Sequence, residues 1–260
     1  MLEDDFTYVL RKALMGHGIS PSEAATRAAL PETDVLAFLR GSFSKETARK
    51  LAVALGLNAE AFARHETYQP KPCELSGIHR LDLPFDSERV NAWLVRDGES
   101  IVLFDTGFVS DVAIDAVRSA CGRLPDRVFI THGHRDHVGA LPALLAAGLP
   151  VHAMEIAGTI AMQPGDCVCC GSLVVKSCDL SGHYTPALGF YIEGLSRPVL
   201  VTGDALFAGS IGGCGTPEIY QRALRTLRAA LAALPAETVL LPGHGSATTL
   251  GEERFSNPFL

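Results

Sequence analysis

The residues best suited to chemistry form one dense stretch, THGHRDHVG, at positions 131–139. Three histidines and one aspartate fall within the six positions 132–137. Neutral imidazole nitrogens bind Zn²⁺, Fe²⁺ and similar ions, and a carboxylate can bridge two of them. We therefore interpret this stretch as half of a metal site whose other ligands come from elsewhere in the chain.

Three further candidate ligands each follow a strand-like run of aliphatic residues. His183 follows SLVVKSCDLSG, Asp204 follows VLVTG and His244 follows TVLLPG, and the dense stretch itself follows VFI. A glycine directly precedes each of the three and permits a tight turn and close backbone approach. Because strand ends in layered α/β domains meet at one edge, where loops build sites, these residues are predicted to meet there.

The complete set contains seven candidate ligands: His132, His134, Asp136, His137, His183, Asp204 and His244. Seven ligands exceed the needs of one tetrahedral ion and suit two ions that share a bridging aspartate. Two ions about 3.5–4 Å apart can lower the pKa of a bridging water and deliver hydroxide as a nucleophile. The set has no thiolate, which favours an open catalytic site over a closed structural zinc site.

The spacing H-x-H-x-D-H, with Gly139 two residues on, resembles the signature of the metallo-β-lactamase superfamily. The later pairs Gly182-His183, Gly203-Asp204 and Gly243-His244 occur in the order that this superfamily uses, and Asp105-Thr106-Gly107 resembles its earlier Asp-x-Gly turn. The resemblance spans about Ile78 to Leu260. It implies an α/β (α+β) fold, a four-layer αββα sandwich with a metal site at one edge.

The resemblance also implies how the ligands divide. His132, His134 and His183 would hold one ion, while Asp136, His137 and His244 would hold the second, with Asp204 as the bridge. The implied cofactors are two divalent metal ions, with Zn²⁺ as the expected metal and Fe²⁺ or Mn²⁺ as alternatives.

A finer resemblance is to the glyoxalase II-like branch, which includes small hydroxyacylglutathione hydrolase-like proteins. The tail GHGSATTLGEERFSNPFL and the segment TGDALFAGSIGG are similar to theirs. Two motifs differ: a Gly-Arg-Thr-Asp string is replaced by Gly212-Gly213-Cys214-Gly215, and Gly-His-Thr-Pro-Gly becomes GHYTPA at residues 182–187. The missing arginine removes an anion anchor, which argues against a glutathione-linked substrate.

The predicted function is that of a metal-dependent hydrolase in which a metal-bridging hydroxide attacks a thioester, ester or lactone and the metals stabilise the oxyanion. Asp136, as a proton relay, and Asp204, as the bridge, are the predicted catalytic residues. Asp105 is expected to orient ligands without binding metal. Tyr184 is a candidate oxyanion donor or a structural tyrosine, and Cys214 is a candidate substrate contact.

A second enzyme remains open, because persulfide dioxygenases resemble the same pattern. They use a single iron, held at positions that match His132, His183 and Asp204. The ligand pattern by itself does not separate this activity from hydrolysis.

The segment before the metal motifs reads as all helix, and residues from Leu10 to about Phe62 resemble a lambda-repressor-type helix-turn-helix domain. The text GISPSEAATRAALPETDVLAFLRG and SKETARKLAVALGLNAEAF carries this resemblance. The resemblance implies that a helix beginning near Pro31 enters the major groove of DNA. The exposed residues of this helix are Pro31, Glu32, Thr33 and Asp34, and Arg40 is the only nearby cation. The phosphates of DNA would therefore repel the start of the helix. Docking or homodimerisation is the alternative role, and a DNA-binding regulator with a metal-binding sensor domain is a third functional hypothesis.

The predicted organisation is a helical domain at 1–65, a linker at 66–77 (ETYQPKPCELSG) and a hydrolase domain at 78–260. The net charge of -7 over 260 residues argues against nucleic acid as the main partner, and no apolar run is long enough to span a membrane. Seven cysteines without paired spacing and an acidic start predict reduced thiols in a cytoplasmic protein that acts on a small molecule. The thiols of Cys167-Val168-Cys169-Cys170 are predicted to be buried in a strand.

Overall fold

The computed structural model describes residues 2–73 and 75–260, and this described part begins with five short helices. Met1 and Glu74, which fall in the predicted helical domain and linker, lie outside it. The helices are α1 (Phe6–His17), α2 (Pro21–Arg27), α3 (Glu32–Leu39), α4 (Lys45–Leu55) and α5 (Ala59–Arg64), followed by a 3₁₀ turn over His65–Thr67.

Side-chain caps explain where most of these helices begin. An oxygen of Asp5, Ser20, Ser44 or Asn58 accepts a backbone N–H at the start of α1, α2, α4 or α5. Helices α2 and α3 occupy the segment in which the sequence predicts a helix-turn-helix, and residues 31–34 at the start of α3 are exposed. The helix-turn-helix identity and DNA binding stay predictions.

The described part of the chain then forms two six-stranded sheets. The first contains, in spatial order, β1 (Ile78–Phe85), β2 (Glu88–Asp97), β3 (Ser100–Phe104), β4 (Arg127–Phe129), β5 (Val151–Ala153) and β6 (Ile160–Ala161). The second contains β7 (Cys167–Cys170), β8 (Leu173–Asp179), β9 (Leu188–Glu193), β10 (Val199–Gly203), β11 (Val239–Pro242) and β12 (Thr248–Thr249), in the spatial order β12-β11-β10-β9-β8-β7. β3 to β6 pair in parallel, as do β10 and β11, and the other neighbours are antiparallel.

Alternation along the strands separates two packing faces. In β2 and β3, Trp93 and Phe104 point between the sheets, where Phe190 of the second sheet meets them. Their neighbours Leu94 and Leu103 point outward, against α6 (Ser110–Cys121) and α7 (Leu141–Ala146). The other outer layer holds α8 (Pro217–Leu231) and α9 (Leu250–Ser256). This arrangement confirms the predicted mixed α/β sandwich.

One hydrophobic core joins the amino-terminal helices to the second sheet. Leu10 and Phe38 belong to the same buried cluster as Leu200 of β10 and Tyr220 of α8. Gly16 of α1 lies against the Tyr220 ring so closely that a Cβ there would clash with it. The helices therefore form part of the wall of the sandwich, while the domain limits at 65 and 78 stay a prediction.

The connecting segment is tied to the carboxyl-terminal helix. The Tyr68 hydroxyl donates to Glu253 Oε1 at 2.6 Å, and the backbone N–H of Lys71 donates to Glu252 Oε1 at 3.2 Å. Within residues 2–73 and 75–260, no helix combines the length and apolarity that a membrane crossing needs.

The predicted burial of the cysteine run is wrong for two of its three thiols. Cys167 and Cys169 are exposed, and only Cys170 is buried. The reason is that β7 is the edge strand of its sheet, so its outward-facing residues meet solvent instead of a neighbouring layer.

Candidate metal centre

The loops after β4, β8, β10 and β11 bring all seven candidate ligands to one edge of the two sheets. Asp204 follows the last residue of β10 directly, and His244 lies two residues after β11. Because β10 and β11 run parallel, their carboxyl ends lie side by side. This local geometry places two candidate ligands together without any long loop.

The seven side chains form two groups that share one aspartate. The first group is His132, His134, His183 and Asp204, and the second is Asp136, His137, Asp204 and His244. Within each group, one potential ligand atom from every residue lies within 4.8 Å of all the others. The division matches the one that the family resemblance implies.

The donor spacings in both groups fit a metal ion. In the first group, His134 Nδ1 lies 3.1 Å from His132 Nε2 and 3.2 Å from His183 Nε2. In the second, His244 Nε2 lies 3.3 Å from Asp136 Oδ2 and 3.5 Å from Asp204 Oδ2. Donors at about 2.0–2.2 Å from one tetrahedral ion are separated by about 3.3–3.6 Å, so each group surrounds a volume of the right size.

Two buried atoms lack the partner that a metal would supply. His137 Nε2 and Asp204 Oδ1 are 3.3 Å apart, and neither has a hydrogen-bond partner within the described residues. Buried polar atoms without partners are rare in folded proteins. Together with a donor set of imidazoles and carboxylates, these two atoms indicate that the cluster suits divalent metal ions.

Four of the five histidines are held in one orientation by a second hydrogen bond at Nδ1. Their Nδ1 partners are oxygens at 2.7–3.0 Å: Thr131 Oγ1 for His132, Asp105 Oδ2 for His137, the Gly213 carbonyl for His183 and the Arg89 carbonyl for His244. Since carbonyl and carboxylate oxygens only accept, the proton of His137, His183 and His244 lies on Nδ1. The Thr131 hydroxyl donates its own proton to Asp105, so it accepts from His132 Nδ1. The Nε2 lone pair then points into the cluster, as a metal ligand requires.

Asp105 lies behind the cluster and outside both ligand groups. It is 2% exposed and accepts hydrogen bonds from Thr131 N at 2.8 Å, from Thr131 Oγ1 at 2.8 Å and from His137 Nδ1 at 2.8 Å. Its backbone has φ +59°, a left-handed conformation that aspartate and asparagine tolerate better than most residues. The structure places it where an orienting residue would lie.

The electrostatics of the two groups differ. Burial and the neighbouring His137 lower the pKa of His132 well below its usual value. Burial alone would lower the pKa of His137, but Asp204 and Asp105 raise it well above that value. Burial likewise opposes protonation of His244, yet Asp136 and Asp204 raise its pKa to about 10. Without metal, the second group therefore holds protons that an ion would displace.

Gly243 shows why a glycine precedes His244. A Cβ at this position would clash with Asp204 Oδ1 and lie 2.7 Å from His137 Cε1. No other residue fits without displacing two members of the second group. The sequence signal at this position is therefore a packing requirement of the site.

Two further predicted site residues, Tyr184 and Cys214, differ in their position relative to the metal cluster. The Tyr184 ring lies against His134 and His132, with ring centroids 4.7 and 5.3 Å away. Cys214 is buried in the core beside α1 and α8, outside the wall of the cavity over the cluster, and burial raises its thiol pKa to about 11. The structure therefore brings Tyr184 to the site and does not bring Cys214 there.

A cavity of about 410 Å³ opens over the cluster, and two of its wall residues lack a signal in the sequence. Glu3, from the segment before α1, reaches within 3.9 Å of His244 Nδ1. Arg135 lies over the rings of Phe85 and Phe108 and pairs with Asp86 at 2.8 Å. No local pattern marks Glu3, because its contact with residue 244 depends entirely on how the helices pack.

Lys12 of α1 connects the helices to the same site. Its Nζ pairs with Asp4 and donates to the Ile211 carbonyl at 2.8 Å. Two residues further on, the Gly213 carbonyl accepts the His183 Nδ1 proton at 2.8 Å. The amino-terminal helices thus contact the loop that orients a candidate ligand.

Comparison with known proteins assigns the family. A family model described as the metallo-beta-lactamase superfamily matches residues 86–165, which include the dense histidine stretch. A hydroxyacylglutathione hydrolase, GloC, of Haemophilus influenzae is 29% identical over 206 residues, covering 68% of this chain and 96% of its own length. The structure of TTHA1623 in a di-iron-bound form is 30% identical, with a TM-score of 0.55 over 69% of this chain and 100% of that one. The chain belongs to the metallo-β-lactamase superfamily.

This metallo-β-lactamase-fold protein is also similar to ETHE1 from Myxococcus xanthus. The two are 26% identical, with a TM-score of 0.57 over 70% of this chain and 83% of that one. The three matches cover 68–70% of the present chain, which leaves close to a third of it without a counterpart in these relatives. The predicted superfamily membership is confirmed.

Proposed function

We propose that this chain is a hydrolase that binds two divalent metal ions and cleaves a thioester, ester or lactone. The observation that carries the proposal is the pair of complete ligand groups sharing Asp204, with the buried atoms His137 Nε2 and Asp204 Oδ1 left without partners. Ions bound there would activate water as the nucleophile and stabilise negative charge on the carbonyl oxygen of the substrate.

The proposed ligands are those of the two groups. His132, His134 and His183 would hold the first ion, and Asp136, His137 and His244 the second, with Asp204 shared. The first group has three imidazoles and one carboxylate, which suits Zn²⁺ or Fe²⁺. The second group has two imidazoles and two carboxylates, and this donor set also suits Mn²⁺.

Asp136 is the residue best placed to handle a proton. It lines the cavity, and its Oδ2 lies 3.3 Å from His244 Nε2. Burial raises its pKa, but the hydrogen bond with His244 and the nearby His137 outweigh this and lower it. Asp136 is therefore ionised at neutral pH and can accept a proton from the attacking water. Tyr184, which packs edge-on against His134 and at a tilt against His132, positions their rings.

The cavity offers little to an anionic substrate. Among the described residues of its wall, Arg135 is the single arginine or lysine, and Asp86 already neutralises it. Glu3 and Glu88 add negative charge to the same wall. A glutathione thioester carries two carboxylates, so we propose that the substrate is not linked to glutathione, unlike that named for the Haemophilus influenzae relative.

A single-iron persulfide dioxygenase is the second candidate. Similarity to ETHE1 from Myxococcus xanthus favours it, and His132, His183 and Asp204 supply the three ligands that it would need. The geometry of the second group favours the two-ion hydrolase, because Asp136, His137, Asp204 and His244 place four ligand atoms close enough together to hold another ion.

A single substitution separates these candidates. We expect His244→Ala to reduce bound metal from two ions to one per chain and to lower turnover of aryl esters and thioesters at least about 100-fold. The matched control is His79→Ala, which removes an exposed histidine of β1 that belongs to neither ligand group. Metal analysis of protein purified without added metal, combined with initial rates, measures both effects. Full turnover in His244→Ala, or oxygen consumption with a persulfide and one iron per chain, would contradict the proposal.

A further inference from the structure

A second and larger cleft, of about 740 Å³, opens beside the cavity over the metal cluster. Its walls come from residues 2–8 around the start of α1 and from residues 65–70 of the connecting segment. Glu3 lies in the walls of both the cleft and the cavity. We infer that this cleft binds an organic ammonium group of the substrate, a role that rests on the proposed hydrolase function for the cavity beside it.

The charge of the cleft favours a cation. Its wall contains Glu3, Asp4, Asp5 and Glu66 and, among the described residues, no lysine or arginine. Lys12 pairs with Asp4, and the Asp5 carboxylate caps α1, so Glu3 and Glu66 are the carboxylates of the wall that remain for a ligand. A concave surface lined by one sign of charge attracts ligands of the opposite sign and repels like ones.

Aromatic side chains line the same cleft. Tyr8 reaches it from α1 and is 57% exposed, and Tyr68 reaches it from the connecting segment, while the ring of Phe6 packs behind them against Phe38 and Phe43. Aromatic rings attract ammonium groups through their quadrupole and pack against an apolar stem. The lining therefore suits an amine attached to a hydrocarbon chain better than a hydrated inorganic cation.

His65 provides independent evidence for a hydrogen-bonding ligand. It lines the cleft, is only 1% exposed and uses Nε2 to contact the Gly209 carbonyl at 3.0 Å. Because a carbonyl only accepts, Nε2 carries the proton and Nδ1 is left as an acceptor. This Nδ1 is buried and has no partner within the described residues. An ammonium N–H is the kind of donor that such an acceptor lacks.

The position of Glu3 connects the two spaces. Its Oε1 lies 3.9 Å from His244 Nδ1, so a molecule that extends from the cluster into the cleft passes this carboxylate. A substrate with its carbonyl at the cluster and its ammonium in the cleft would occupy both. The amino-terminal helices, which lie within the first third of the chain, would then supply the determinants of substrate specificity.

Direct binding tests this inference without depending on hydrolysis. Calorimetric titration of the metal-loaded full chain would use 3-phenylpropylammonium, its neutral counterpart 3-phenylpropan-1-ol, and trimethyl(3-phenylpropyl)ammonium, which has no N–H. We expect the primary ammonium to bind about tenfold more tightly than the alcohol, from partly screened charge pairs and a cation–π contact. It should also bind more tightly than the trimethyl compound, which cannot donate to His65.

Two variants place the ligand in the cleft. Glu66→Gln and Glu3→Gln should each reduce the preference for the ammonium over the alcohol by about three- to fivefold. Asp115→Asn, which removes an exposed carboxylate on α6, should leave that preference unchanged. Equal affinity for ammonium and alcohol, or a preference insensitive to Glu66→Gln, would overturn the inference. Ammonium binding without any ester or thioester hydrolysis would instead overturn the proposed function and leave the cleft assignment standing.

Discussion

Replacing Asp105 with asparagine removes one charge from behind the cluster while leaving most of the local structure in place. Asparagine tolerates the left-handed backbone at this position, where φ is +59°. Its remaining oxygen can still accept from Thr131 N, as Asp105 Oδ1 does at 2.8 Å. The variant therefore tests the role of the carboxylate without adding backbone strain.

The substitution should change the hydrogen bonding and the protonation of the His137 ring. Asp105 Oδ2 accepts from His137 Nδ1 at 2.8 Å, and an amide NH₂ in its place would oppose one donor with another. The ring would relieve this by moving its proton to Nε2, the atom that faces the second ligand group. Loss of an outer hydrogen bond of this kind lowers metal affinity by about 10- to 100-fold, which corresponds to about 1.4–2.7 kcal/mol.

A chelator-competition titration that resolves two successive binding events measures this difference. The second ion should weaken by the stated factor, while the first, held by residues that Asp105 does not contact directly, should change less. Asp86→Asn is the matched control, because Asp86 has φ +48° but is exposed and forms an ion pair with Arg135 at the surface. Wild-type affinity for both ions in Asp105→Asn would refute the orienting role of Asp105.

Three further results are expected. Asp204→Ala should weaken the binding of both ions and abolish hydrolysis, since Asp204 belongs to both ligand groups. A variant that keeps its full metal content would contradict the bridging assignment. The second ion should bind more weakly as pH falls from about 8 to about 6, because the raised pKa values of His137 and His244 keep both rings protonated without metal. Its affinity should fall about tenfold per pH unit for each proton that the ion displaces. Titrations at several pH values that show a constant affinity would refute this. Glu253→Ala should lower the free energy of unfolding by about 2–4 kcal/mol, because the buried donors that now bond to this carboxylate would lose their acceptor. A denaturant titration showing the same stability as the exposed-site control Glu237→Ala would contradict this prediction.

The clustering of the candidate ligands could be predicted because local sequence determines where each of them lies. Each of His183, Asp204 and His244 follows a strand directly or by a short turn, and strand ends converge by topology, not by the details of packing. The resemblance of these residues to the superfamily motif then predicted the αββα sandwich fold. Asp105 was predictable for the same reason, since it directly follows β3.

Other features depended on tertiary contacts that no local pattern encodes. Glu3 reaches His244 across the whole length of the chain, and the cleft beside it exists only because the connecting segment packs against the start of α1. The helices before residue 65 were predictable from periodicity, but their shared core with α8 was not. For Cys167 and Cys169, alternation predicted two faces, but only the sheet order shows that β7 is an edge.

The central claim is that two metal ions share Asp204, and anomalous diffraction from crystals of the protein as purified tests it most directly. Data collected on both sides of the zinc, iron and manganese edges would identify each ion and locate it. We predict two peaks, one among His132, His134 and His183 and one among Asp136, His137 and His244, both within bonding distance of Asp204. A single iron peak at the first group, with the second group empty, would contradict the two-ion hydrolase.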